Sequence, residues 1–140
     1  MLNTLPRGFR NNNPLNIRIG NTWYGEVENP TDKDFEQFQN MAFGLRAGFV
    51  LLERYMNRYG LVTLRDIISR WAPATENHTA KYIEFVSNKS GIGQLETLRF
   101  DNKVALCKMV AAMVIYENGI GLPMWQIEKG YDMAVSRFYL

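Results

Sequence analysis

From about residue 41 to the end of the chain, apolar residues recur at the three-and-four spacing of amphipathic helices, whereas a shorter region ahead of it shows alternation. Leu45, Phe49, Leu52, Met56 and Tyr59 line one face of a first helix, which Gly60 ends. Thr63-Leu-Arg-Asp66 has the form of a capping box and starts a short helix carrying Ile67, Ile68 and Trp71, with Pro73 as its stop. Thr75 or Asn77 caps the next helix, which runs through Tyr82, Ile83 and Val86 to Gly91 and Gly93. Asp101 caps a long helix over 104–116 that is apolar almost all the way round, and Pro123 opens a last one running towards Phe138.

The first forty residues read differently. Residues 1–13 are irregular and end in Arg10-Asn-Asn-Asn-Pro14, where side-chain amides compete with regular backbone pairing and proline restricts the chain. Leu15-Asn-Ile-Arg-Ile19 alternates, which predicts a short strand with Asn16 and Arg18 on one face. Gly20-Asn21 and Gly25 punctuate a hairpin with Thr22-Trp-Tyr24 as its second strand, and Phe35-Glu-Gln-Phe38 follows a turn as a third. No repeat, low-complexity stretch or linker interrupts the pattern. The expectation is one domain over residues 1–140, of α+β class, mainly α-helical, with a small β-hairpin region near the N-terminus.

Composition narrows the function classes. With 140 residues, 46% hydrophobic and 21% charged, the chain suits a single core burying about two-thirds of the unfolded surface. The net charge of +2 is spread without a basic run, so a nucleic-acid partner is not expected, while an anionic polymer such as a bacterial wall is compatible. One cysteine excludes an internal disulfide, one histidine excludes a His-rich or Cys-rich metal cage, and no cofactor is implied. The first residues lack the pattern of a signal peptide, and no apolar run approaches the ~20 residues that span a bilayer. Synthesis in a cytoplasm without membrane insertion is expected.

Glu117 closes the long apolar helix and is followed by Asn118-Gly119. Burial and the negative end of the helix dipole both disfavour its ionised form, and a carboxyl kept protonated near neutral pH is what cleavage at a glycosidic oxygen requires. The competing reading is a partly exposed helix-end residue with Gly119 as an ordinary left-handed cap. Cys107 and His78 are the sole thiol and imidazole, but Cys107 lies within the apolar run and reads as a small hydrophobe, with His78 as a solvated first-turn residue. In the 11–18 segment, Asn13, Asn16 and Arg18 offer directional donors and acceptors suited to a sugar or peptide, and Trp23 and Tyr24 offer rings for stacking. Scaffold and binding roles are equally open there on residues alone.

Arg7-Gly-Phe-Arg-Asn-Asn-Asn-Pro-Leu-Asn-Ile-Arg18, Trp23-Tyr-Gly25, Asp34-Phe-Glu-Gln-Phe38, Gly44-Leu-Arg-Ala47 and Trp71-Ala-Pro-Ala-Thr-Glu-Asn-His-Thr79 together resemble a family of phage and prophage-encoded virion-associated proteins related to murein-cleaving, lysozyme-like enzymes. The segment around Asn11 is similar to the Asn-Asn-x-Phe-Gly-Ile-Lys hairpin of bacterial glucosaminidases. The 109–119 stretch is similar to the helix ending Glu-Ser-Gly in lytic transglycosylases. Since the two occur here in reversed order, the resemblance implies a circularly permuted lysozyme-like fold with Glu117 facing the 14–38 hairpin across a cleft. It also implies a muramidase or lytic transglycosylase acting on peptidoglycan, reached through phage lysis, virion delivery or another secretion route, with other virion proteins as possible partners. Glu26 and Asp32 are the candidates for a second catalytic carboxylate, at a separation of about 5 Å for retention or ~6.5–9.5 Å for inversion. The alternative function is a non-catalytic phage structural or wall-binding protein, and a wall peptidase is disfavoured for want of a nucleophile or metal site.

Overall fold

The computed structural model describes residues 5–73 and 78–136. Among them are six helices: α1 (Arg7–Arg10), α2 (Met41–Tyr59), α3 (Leu64–Trp71), α4 (Thr79–Ser90), α5 (Lys103–Asn118) and α6 (Met124–Val135). The ends follow local chemistry. Asn40 accepts from the Phe43 N–H to start α2, and left-handed Gly60 stops it. Thr63 accepts from the Asp66 N–H, as the capping-box pattern anticipates. Asn102 rather than Asp101 caps α5, accepting from the Ala105 N–H. The proposed α4 caps, Thr75 and Asn77, lie outside the described residues, and so does Phe138.

The core is built by α5 against α4 and α6, with Leu106, Met109, Val110, Met113 and Val114 fully buried. Helices α2 and α6 approach closely because Gly130 has no side chain: a Cβ there would lie 2.5 Å from the Leu45 Cβ. None of the helices is long and apolar enough to cross a membrane.

Between α1 and α2, residues 11–40 form a layer of turns, and here the expected α+β architecture is corrected. No strand occurs among the described residues; the proposed 14–38 hairpin reduces to two isolated antiparallel bridges, Arg18 with Phe35 and Glu26 with Phe38. The permuted lysozyme-like fold built around that hairpin falls with it. The reason is local. Asn12 and Asn16 take left-handed backbone conformations (φ 52° and 53°), which break the extended run that the alternation of Leu15 to Ile19 suggests. Side-chain amides then do the work of a ladder. The Asn13 amide donates to the carbonyls of Ile17 and Glu36 and accepts from the Ile17 N–H, while Asn12 donates to the Phe38 carbonyl. The layer buries its own small cluster of Ile17, Trp23 and Phe38 against Ala47 of α2. Residues 7–10, expected to be irregular, form the short α1.

Candidate functional site

Glu117 sits in the last turn of α5, which left-handed Gly119 terminates at φ 76°. Its two carboxylate oxygens are held from two different elements. The Asn16 amide donates to Oε1 at 2.9 Å, and the Tyr82 hydroxyl donates to Oε2 at 2.8 Å. Tyr82 belongs to α4, is 1% exposed, and stacks on Tyr116 with ring centroids 4.1 Å apart, so its hydroxyl has little freedom to leave the carboxylate.

Asn16 is positioned with equal economy. Its left-handed backbone places its N–H on the Asn13 carbonyl and turns its amide towards α5. Asn118, next to Glu117, donates to the carbonyls of Pro14 (2.8 Å) and Val114 (2.9 Å), tying the loop to the end of the helix. Gly8 of α1 makes this convergence possible. A Cβ on Gly8 would lie 2.5 Å from Asn118 Oδ1 and 3.0 Å from Asn16 Oδ1, inside contact distance of both.

Burial raises the Glu117 carboxyl above its ordinary pKa, and the hydrogen bonds from Asn16 and Tyr82, which favour the anion, oppose that rise in part. Each oxygen accepts one bond from these neutral donors, which leaves a lone pair on each to carry a proton. A carboxyl with this environment suits proton donation and return at one place.

Glu117 lines a cleft of about 300 Å³. Asn16, Ile17, Arg18, Asn21 and Phe35 of the loop layer form one side; Leu51 and Tyr55 of α2 with Trp71 and Ala72 form the other. Arg18 lies over the Phe35 ring, 4.9 Å from its centroid, and Tyr55 meets Trp71 edge to face at 5.9 Å. The aromatic faces, guanidinium and carboxyl of the described lining residues are a combination that fits a sugar polymer carrying negative charge.

Of the residues singled out in the sequence, the structure thus brings together Glu117, Asn16 and Arg18. The others do not line the cleft. Asn13 is fully buried in the loop layer, and Trp23 is 5% exposed within the small cluster there. Tyr24 is exposed but does not line the cleft; the Arg46 guanidinium lies 5.5 Å from its ring centroid. Asp32 is held bidentately by Arg7 at 2.7 Å and by Asn11 at 2.9 Å, and the Arg7 guanidinium keeps its carboxyl far below the usual range. Glu26 accepts from the Trp23 N–H. Neither of these proposed second carboxylates borders the cleft, and Glu117 is the sole carboxylate among its described lining residues. Cys107 is buried and its thiol is pushed up to about 11, chiefly by burial, which suits packing and not nucleophilic attack. No group of three potential metal-binding side chains occurs among the described residues.

Tyr82, Phe35, Tyr55 and Asn21 were not singled out in the sequence as site residues. Tyr82 carries a helix-core spacing, and only the packing of α4 on α5 turns its hydroxyl into a partner for residue 117.

No family model matches the chain. It is 41% identical over 136 residues to Protein P5 of Pseudoalteromonas phage PM2, an alignment spanning 94% of this chain and 83% of that protein, and it belongs to that phage protein's family.

Proposed function

We propose that this member of a phage-protein family cleaves the glycan strand of peptidoglycan, with Glu117 as acid and then as base. The observation that carries the reading is the Glu117 carboxyl, the one carboxyl among the described residues of the cleft, raised in pKa by burial and held on both oxygens by neutral donors. Phe35, Tyr55 and Trp71 supply faces for sugar rings, and Arg18 supplies a cation for substrate carboxylates.

Protonated Glu117 donates to the glycosidic oxygen as the C1–O bond breaks, and the departing sugar leaves as the alcohol. With no second carboxylate among the described lining residues, the acetamide oxygen at C2 of the substrate takes the nucleophile's place and bonds to C1. Glu117, now ionised, removes the proton of the C6 hydroxyl of the same sugar. That oxygen displaces the acetamide and closes a 1,6-anhydro ring, regenerating the acid. This favours the lytic transglycosylase form of the reaction over a two-carboxylate muramidase.

Mass spectrometry of muropeptides after digestion of purified walls tests the reading. Anhydro ends support it, and reducing muramic acid or glucosamine ends shift it to hydrolysis. If the walls stay intact but sediment with the protein, it is a wall-binding phage component without turnover.

A further inference from the structure

The loop layer contains a second carboxyl pair that the Glu117 cleft does not use. Residue 26 bridges residue 38 in an antiparallel sense and the Val27 N–H bonds the Gln37 carbonyl, so positions 26 and 36 fall on the same face as diagonal neighbours. Glu36 is 6% exposed, and its Oε2 is buried with no donor in reach. Its neighbour across that face is the Glu26 carboxyl, the nearest group that disfavours charge on it. Two carboxyls facing each other away from water, one with a buried oxygen that no donor reaches, are held together only when one of them carries a proton.

We propose that Glu36 and Glu26 share one proton and that this proton is a latch closing the loop layer, which opens when the pair loses it. The segments it joins also form a wall of the cleft: the Glu36 N–H bonds the Ile17 carbonyl, and Phe35 precedes it in the chain. The Trp23 N–H, donating to Glu26 at 3.1 Å, ties the buried Trp23 to the same pair. Of the adjoining elements' charged groups, Arg18, Arg46 and Arg54 sit over the rings of Phe35, Tyr24 and Trp23, and among the described residues the groups acting on Glu36 are Glu26 and the Gly20 N–H. Burial first, then the adjacent Glu26, pushes the Glu36 carboxyl up to about 8, so the latch is closed at neutral pH and open in mild alkali. A folded pKa above the unfolded one gives stability that is complete below about 4.3 and lost as pH rises through about 8.

The test is structural and independent of any lytic activity. Amide exchange and the Trp23 indole resonance are followed by NMR from pH 6 to 9.5 in the wild type, Glu36→Gln and Glu26→Gln. In each variant the amide supplies a permanent donor to the remaining carboxylate. Exchange across residues 17–39, corrected for the intrinsic dependence on hydroxide, should rise at least tenfold in the wild type between pH 7 and 9, and stay level in both variants. No extra opening in the wild type, or equal opening in Glu36→Gln, overturns the latch. Protection restored to the wild type at pH 9 by millimolar calcium, and not to Glu36→Gln, would also overturn it, because the pair would then hold a cation and not a proton.

Discussion

Asn16 and Glu117, 101 positions apart in the chain, are joined by a 2.9 Å hydrogen bond that connects the loop layer to the last turn of the core helix. With Tyr82 on the other oxygen, three separate elements converge on one carboxyl. An ordinary exposed helix-end glutamate would have water in those places. The desolvation that raises its pKa and the donors that partly offset it both come from this convergence.

Glu117→Gln should lower wall cleavage by about 10²–10⁴-fold, the range associated with loss of a positioned proton donor. The fold should persist: the new carboxamide oxygen can accept from Tyr82, and a flip of the Asn16 amide would turn its partnerless Oδ1 towards the new N–H₂. Because the folded pKa is raised, the native state of the wild type binds the proton more tightly than the unfolded chain does. Its contribution to stability is complete below the unfolded pKa and is lost as pH rises through the folded one. Thermal midpoints should show the variant equal to or above wild type at pH 7, with any advantage shrinking on acidification. A variant clearly less stable at pH 7 makes Glu117 a structural anion.

Asn16→Gly isolates the role of the amide, since glycine accepts φ 53° without strain and alanine would not. We expect a folded protein whose cleavage rate falls about 10–100-fold through loss of orientation at Glu117. Gly8→Ala should act through the same contact without touching Glu117, because its Cβ would press on Asn118 Oδ1 and Asn16 Oδ1. Circular dichroism at 25 °C separates loss of activity from loss of fold. Full activity in a folded Asn16→Gly protein would remove the amide from the mechanism.

The helices were largely legible in the sequence, and the loop layer was not. Gly60, the Thr63 capping box, Gly91 and Pro123 are local signals, and each operates over a few residues whatever the rest of the chain does. At α5 two capping residues stand side by side, Asp101 and Asn102, and the pattern alone does not choose between them. Alternation failed at Leu15 to Ile19 because period two records which side chains are buried, and Leu15 and Ile17 are buried by turns as well as they would be by a strand. Whether the Asn11–Asn13 amides face a ligand or replace backbone pairing depends on partners some 25 residues away, such as Glu36 and Phe38. The same limit hid Tyr82. Glu117 was readable as a candidate because the apolar helix, its end and the carboxyl are contiguous.

Asp32→Asn tests the other well-held carboxylate. Arg7 and Asn11 favour its ionised form, with the N–H groups of Asp34 and Phe35 adding to them, so its folded pKa is depressed. Such a group contributes stability that is present above the unfolded pKa of about 3.9 and is lost as pH falls through the folded value. The variant should unfold at lower temperature than wild type at pH 7, and the gap should narrow progressively below about pH 4. Its effect on cleavage, corrected for stability, should be small, since Asp32 does not border the cleft. A large rate loss in a stable Asp32→Asn protein would restore it as a second catalytic carboxylate.

Tyr82→Phe separates positioning from packing at the site itself. The ring stacks on Tyr116 and is buried, and phenylalanine keeps both features while removing only the hydroxyl. Burial, followed by the Glu117 charge, pushes the Tyr82 hydroxyl well above its ordinary pKa, so it is a donor at every pH at which the wild type is folded and assayed. Its bond to Oε2 favours the Glu117 anion. Removing it should therefore raise the Glu117 pKa further and move the alkaline limb of the activity profile to higher pH. Maximal activity should still fall, because one of the two groups that aim the carboxyl is gone. Stability should drop by about 1–3 kcal/mol above the Glu117 pKa, where the anion loses a donor, and by less below it, where Glu117 is protonated in both proteins. The measurement is the cleavage rate of purified walls from pH 4 to 9 for both proteins, with thermal midpoints across the same range. An alkaline limb that stays in place, or moves down, would mean that the titrating group is not the carboxyl that Tyr82 touches.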